Sequence, residues 1–265
     1  MLRNRMSSSN LILALGSLLG VLAFSWPLYI PNSQIFLLQP NNARYLSLVV
    51  AIAAVALIAI QISTGAMDSK SVAILGVLAA LIAALRLIGA GAVGIEPMWF
   101  LLILASYAFG AKFGFALGVV SMATSALLTG GIGPWLAFQM LAAGWIGLIS
   151  GAAQKFRTDK YEKVLLVLLG VTASLSFGLL MDLQLWPWLI GTDTQLSYIA
   201  GGAVQENLSR FLVFHLSTAL AWDLPRAITT GALIWLTSKP VLNSFRRAQL
   251  RLFANGHVMQ QKVHA

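Results

Sequence analysis

GGIGPWLAFQMLAAGWIGLISG, residues Gly130 to Gly151, sets the terms on which the whole chain is read. It is apolar enough to cross a bilayer, yet it opens on glycines and a proline, holds one glutamine and ends in small residues. At 1.5 Å rise per residue, about 20 apolar residues span the hydrocarbon layer, so from Pro134 onward the stretch predicts a membrane helix. Pro134 suits a first helical position, where its missing N–H costs little. Ala143, Gly147 and Gly151 recur every fourth residue, a spacing that lets two helices approach closely. Trp135 and Gln139 also lie four apart, on one face near the start. An interhelical hydrogen bond from a membrane amide is worth only about 0.6 kcal/mol, a modest structural reason for Gln139. A ligand-facing wall with a single polar handle is the stronger reason.

The composition extends that reading to the chain. Its 265 residues are 58% hydrophobic and 9% charged, with a mean hydropathy of +0.83, whereas soluble domains carry about 25% charged residues. A chain of this length cannot bury so much apolar surface in one core and still present a polar exterior. An all-α integral membrane protein is expected. The apolar runs predict eight spans, near 11–30, 45–66, 72–89, 98–109, 111–128, 134–153, 164–185 and 224–241. The fourth is short and joined to the fifth through Gly110-Ala111-Lys112. The run from Leu11 to Ile30 lacks a small-residue cleavage site and is taken as the first span, not a signal peptide. Segment 205–222 (QENLSRFLVFHLSTALAW) is apolar but carries Glu206, Arg210 and His215, which predicts an interfacial or re-entrant helix.

Charge orders the spans. With the N-terminus inside, only Arg44, Arg86, Arg210 and Arg226 of the 17 basic residues fall outside, as the positive-inside rule requires. Eight spans return the C-terminus to the cytoplasm. The net charge of +9 would suggest nucleic acid in a soluble protein, but here the basic residues sit in short loops and tails between spans, so nucleic-acid binding is set aside. Acids gather on the other side, at Glu96, Asp182, Asp193, Glu206 and Asp223.

Several of these residues could carry chemistry. Arg86 ends an apolar helix, VAILGVLAALIAALRLIGAG, and an arginine at the bilayer centre costs about 2.5 kcal/mol or more. It either snorkels to the headgroups or faces a ligand cavity and pairs with Glu96 or Asp182. Arg210, Asp223 and Arg226 form a second outer group. Asp223 could cap the last helix, with Pro225 in its first turn. Arg226 is disfavoured there by the helix dipole, which calls for an ion pair or an anionic ligand group. Trp26, Trp99, Trp135, Trp186, Trp188 and Trp222 map to the outer half, with Trp145 and Trp235 deeper or inward. They form an aromatic belt or line a cavity for a flat ligand. Gly110, Gly114 and Gly118 make a second small-residue ladder, and Ala79 with Ala83 and Ala80 with Ala84 a third. Tight internal packing or a partner subunit would explain each.

Catalytic patterns are missing. Without cysteine there is no disulfide and no thiol chemistry. His215 is the single histidine outside the C-terminal tail, so a multi-histidine metal site is excluded. Neither a GxSxG elbow nor a Walker A sequence is present, so no enzyme, cofactor or ATP hydrolysis by this chain is expected.

Three stretches, RLIGAGAVGIEPMWFLLILASYAFGAKFGF, GGIGPWLAFQMLAAGWIGLISG and RFLVFHLSTALAWDLPRA, resemble the substrate-binding S components of energy-coupling factor (ECF) transporters. The Pro-Trp-x-x-Phe-Gln-Met-x-x-x-Gly-Trp pattern is the most specific part. The resemblance implies a six-helix substrate-binding core at 71–242, a two-helix N-terminal extension at 1–70 and a basic cytoplasmic tail at 243–265. It implies that helix 72–89 docks its alanine face, Ala79, Ala80, Ala83 and Ala84, on a transmembrane coupling subunit. It also implies that loop 90–97 helps close over the ligand and that two ATPase subunits supply the energy. Ligand-binding candidates are then Arg86, Glu96, Trp99, Trp135, Gln139, Asp182, Trp186, Arg210, Trp222, Asp223 and Arg226. The implied ligand is a vitamin or related micronutrient. The cobalamin-type group is the nearest likeness, though the aromatics suit thiamine or riboflavin equally. The setting is the plasma membrane of a prokaryote, with membrane lipid around the chain and both termini cytoplasmic. Two other functions compete. An autonomous secondary transporter of a small organic solute would place coupling-ion carboxylates at mid-membrane within inverted repeats. A membrane enzyme acting on a lipid-linked substrate would rely on Asp182, His215 and Asp223.

Overall fold

The computed structural model describes residues 8–29, 42–63, 67–89, 93–189, 194–199 and 202–263. Among them every regular element is helical: α1 (Ser8–Tyr29), α2 (Ala43–Ser63), α3 (Ser69–Ile88), α4 (Met98–Phe109), α5 (Ala111–Thr129), α6 (Leu136–Ala152), α7 (Glu162–Leu189), α8 (Val204–Thr218) and α9 (Leu220–Val263). In lipid, each backbone polar group needs an internal partner, and a helix supplies them all within one segment. Among the described residues, four stretches are long and apolar enough to cross a membrane: Ser69–Ile88, Ala111–Thr129, Leu136–Phe156 and Glu162–Pro187. Leu11–Ser25 and Met98–Phe109 are shorter apolar helices. The chain is a multi-pass helical membrane protein.

Helix ends follow local chemistry. Asp68 caps α3, its carboxylate accepting from the Ser71 N–H at 2.9 Å. Gly110, at φ 98°, is the single residue between α4 and α5, a backbone conformation that glycine adopts without a steric penalty. Gly130, at φ 64°, closes α5 by donating its N–H to Ala126 O, an αL cap. It ends one helix and does not loosen the next turn. α6 then begins at Leu136, two residues past Pro134.

The two glycine ladders pack against each other. A Cβ on Gly114 would strike the Gly147 carbonyl, one on Gly118 the Ala143 carbonyl, and one on Gly151 the Gly110 backbone. α5 and α6 therefore touch backbone to backbone, the close approach that small residues permit. α3 leans on α5, α7 pairs with α9, and α4 lies between α6 and α9, with Trp99, Leu102, Ile103 and Leu104 fully buried. α1 and α2 join the same apolar core. Phe24 meets Phe138 edge-on at 4.9 Å, and the Trp145 indole donates to Ser17 Oγ at 3.0 Å.

Two boundaries differ from the sequence expectation. The expected interfacial segment 205–222 divides at Ala219, and Leu220–Trp222 open α9. The 15-residue α8 is about 22 Å long at 1.5 Å per residue, shorter than the ~30 Å hydrocarbon layer. It buries Asn207, Phe211 and Phe214. Beyond residue 241, α9 continues through the expected tail to Val263. The extension is held by packing: Phe245 meets Phe109 at 5.6 Å, the Gln249 amide donates to Ala108 O at 2.6 Å, and Arg246 pairs with Glu162.

Candidate ligand-binding site

At one end of the bundle the last turns of α3 and α5 meet the first turns of α4, α6 and α9. Polar side chains collect there inside an apolar frame. Arg226, on the second turn of α9, is buried and donates through Nη1 to Asp223 Oδ1 at 2.6 Å and through Nη2 to Glu96 Oε1 at 3.1 Å. Asp223 lies one turn earlier, its side chain 3% exposed. Its carboxylate is spent on Arg226 and it sits inside the first turn, so the capping role considered for it does not hold. Glu96, just before α4, also accepts from the Trp99 indole at 2.6 Å. Phe177 of α7 lies beneath both, its ring 4.4 Å from the Trp99 ring and 5.4 Å from the Arg226 guanidinium carbon. Gly178 makes room for Asp223, since a Cβ there would strike both carboxylate oxygens.

Arg86 reaches the same end from α3. It does not snorkel: Nη1 donates to Ser125 Oγ at 2.6 Å and Nη2 to Gln139 Oε1 at 3.2 Å. Gln139, the polar handle of the opening stretch, thus orients an arginine. A further pair forms where His215 Nδ1 of α8 meets Asp182 Oδ2 of α7 at 2.8 Å. The His215 ring stacks on Phe211 at 6.0 Å.

The structure sorts the sequence candidates. Glu96, Trp99, Asp223 and Arg226 form one hydrogen-bonded network, Arg86 joins Gln139, and Asp182 joins His215. Arg210 leaves the group it was expected to join: it pairs with Glu206 at 3.1 Å one helical turn away and donates to Thr194 O at 2.9 Å. Trp186 is fully buried in a separate small cluster with Phe211, its indole donating to Leu196 O at 2.7 Å. There it braces α8 against the 194–199 segment, where burial pushes the Tyr198 phenol above its ordinary value. Trp135 and Trp222 are exposed. Trp222 contributes its carbonyl, against which Gly94 (φ 64°) packs. Residues 90–92 of the expected closing loop, and the Trp26 and Trp188 side chains, lie outside the described residues.

Ser125 and Phe177 were missed. A serine within the apolar run of α5 was the available signal for the first, and nothing in the sequence distinguished Phe177 from other core aromatics. Among the described residues, no three His, Asp or Glu side chains converge as metal ligands.

The alanine face of α3 also resolves. Ala79 and Ala83 are buried against the bundle, so they are not free to dock. Ala80 and Ala84 are exposed, in line with Gly76, around which a Cβ would meet nothing within 4 Å. Below them an apolar groove of about 310 Å³ runs between Ala73, Val77, Phe109, Phe245 and Ala248.

Residues 70–238, more than half of the chain and every site residue above, match the family described as "ECF transporter, substrate-specific component". No curated protein and no solved structure matches significantly.

Proposed function

The chain belongs to the family of ECF transporter substrate-specific components, and we propose that it captures a vitamin-like micronutrient from outside a prokaryotic cell. It is a substrate-binding membrane subunit of an ECF importer; such components work with a coupling subunit and ATPases and are not enzymes. The proposed topology puts both termini in the cytoplasm and the Arg86–Glu96–Arg226 end outside. The Glu162 end, with Lys155, Arg157, Lys160 and Lys163 nearby, faces inward by the positive-inside rule. The proposed partners are a coupling transmembrane subunit, docked on the Ala80–Ala84 face, and two ATPase chains. The cobalamin-type assignment rests on resemblance alone, and no residue pair favours it.

One observation carries this reading. A polar site made by α3, α4, α5, α6, α7 and α9 is enclosed in an apolar bundle, and Glu96, on the short segment leading into α4, is half-buried beside the fully buried Asp223. Intramembrane charges are costly and by default functional. Native purification in gentle detergent followed by mass spectrometry tests the proposal. The expected result is a tightly held small organic molecule, a coupling subunit and two ATPase chains. Uptake by the purified chain alone in liposomes would refute it in favour of a secondary transporter.

A further inference from the structure

We propose that Glu96 holds the place of a substrate carboxylate, so that the imported molecule carries a single ionised carboxyl group that binds between Arg86 and Arg226. This rests on the binding-subunit reading and names the substrate class of that site.

The two acids on Arg226 are not equivalent. Asp223 belongs to the same helix, is 3% exposed and is boxed in at Gly178, so it stays. Glu96 is 24% exposed and sits on the short non-helical segment that follows Gly94. It can leave. The donors it would release are a guanidinium Nη2 and the Trp99 Nε1, one for each of its oxygens, and a second carboxylate fits the same pair.

Two further features point to an acceptor. Arg226 Nε is buried and, among the described residues, has no partner. A buried donor left unpaired is costly, and a bound acceptor would relieve it. Among the described residues Arg86 donates to neutral oxygens, on Ser125 and Gln139. Arg226 carries two carboxylates, Asp223 and Glu96. Exchanging Glu96 for one substrate carboxylate preserves that balance. A cation, a neutral molecule that evicts Glu96, or a dianionic phosphate would each change the charge beside Arg226 in a low-dielectric site, where uncompensated charge is strongly disfavoured.

The test uses the full-length chain in lipid nanodiscs and calorimetric titration with four acids and their neutral counterparts. The pairs are biotin and biotinamide, lipoate and lipoamide, nicotinate and nicotinamide, and pantothenate and panthenol. Thiamine, riboflavin, cobalamin and inorganic phosphate serve as probes without a carboxylate. One acid should bind, and its neutral partner at least about tenfold more weakly. Glu96→Gln should tighten that acid about fivefold, because the internal competitor is gone and no longer depletes the competent state. Asp223→Asn, a general electrostatic control, should not tighten it. Equal binding of acid and neutral partner, binding of a probe without a carboxylate, equal tightening by both substitutions, or silence toward all four acids in wild type and Glu96→Gln would each overturn the carboxylate assignment. Co-purification of ATPases with a neutral molecule would overturn it while leaving the importer reading intact. Absence of both ligand and ATPases would remove the importer reading itself.

Discussion

Gly147→Ala places a methyl group against the Gly114 carbonyl and Cα, backbone atoms that no rotamer change can move aside. α5 and α6 must then separate, and the separation propagates along the ladder, because Gly118 rests on Ala143 and Gly151 on Gly110 in the same register. Overpacking costs about 1–3 kcal/mol, and contacts between two backbones belong near the top of that range. A gap of half an ångström to one ångström forfeits a quarter to half of each dispersion contact of ~0.1–0.2 kcal/mol. Alanine returns about 0.8–1 kcal/mol through its better helix propensity, so the net loss is about 1–2 kcal/mol. Gly76→Ala isolates the clash. It gains the same propensity on an exposed face of α3 where nothing lies within 4 Å, so the two variants should differ by about 2–3 kcal/mol. Reversible unfolding in mixed detergent micelles, followed by circular dichroism, measures that difference. If the two variants unfold together, or if Gly147→Ala is the more stable, α5 and α6 do not touch through their backbones.

The other expectations are more local. Arg226→Ala should weaken substrate binding at least tenfold, about 1.4 kcal/mol, and destabilise the fold by about 3–5 kcal/mol by stranding buried Asp223. Adding Asp223→Ala should restore most of the stability but not the binding, as thermal denaturation and calorimetry on the same samples would show. Ala80→Leu or Ala84→Leu should abolish co-purification of a coupling subunit at unchanged substrate affinity. At Ala79 or Ala83, which are buried, leucine should instead cost about 1–3 kcal/mol of stability, separable by pull-down and melting. Asp68→Ala should fray the start of α3 by about 0.5–2 kcal/mol, nearer the lower figure because the site is exposed. Hydrogen bonding from Ser71, with Lys70 alongside, holds the Asp68 carboxyl below its ordinary value. The cap is therefore intact at neutral pH and lost only as pH falls through that lowered value, which hydrogen exchange at Ser71 and Val72 would report.

The fold was legible wherever apolar length decided it. Over their described residues the eight predicted runs fall largely on helices, because a lipid environment leaves the backbone few alternatives. The ladders Gly110-Gly114-Gly118 and Ala143-Gly147-Gly151 announced close packing, and the structure supplies what spacing could not, that they pack on one another. Sequence failed where neighbours decide. Apolar composition alone could not tell that α9 continues past residue 241, since Phe109, Ala108 and Glu162 hold that extension from distant parts of the chain. The alanines of α3 looked equivalent until α5 covered one pair. Arg210 was grouped with Asp223 by proximity along the chain, while Glu206, one helical turn away, was its partner.

The site itself was legible as a set of residue types but not as a circuit. Each charge in an apolar helix could be noticed singly, and Arg86 and Arg226 each demanded an explanation. That α3 ends against the Ile95–Glu96 backbone while Arg226 of α9 pairs with Glu96 depends on the two helices converging on the start of α4, which is a property of the bundle. The convergence also divides the labour. α5 and α6 are locked backbone to backbone and can shift little, so Ser125 and Gln139 hold Arg86 as a fixed wall. Arg226 is fixed in turn by Asp223 and by Phe177 beneath it. Glu96 is the one member of the circuit carried on a short segment outside any helix, opposite two immobile cations. On the carboxylate-exchange proposal, one acid would serve both steps of an importer that must bind and then release its cargo: it would leave when a substrate carboxylate arrives and return to the same donors when the substrate departs.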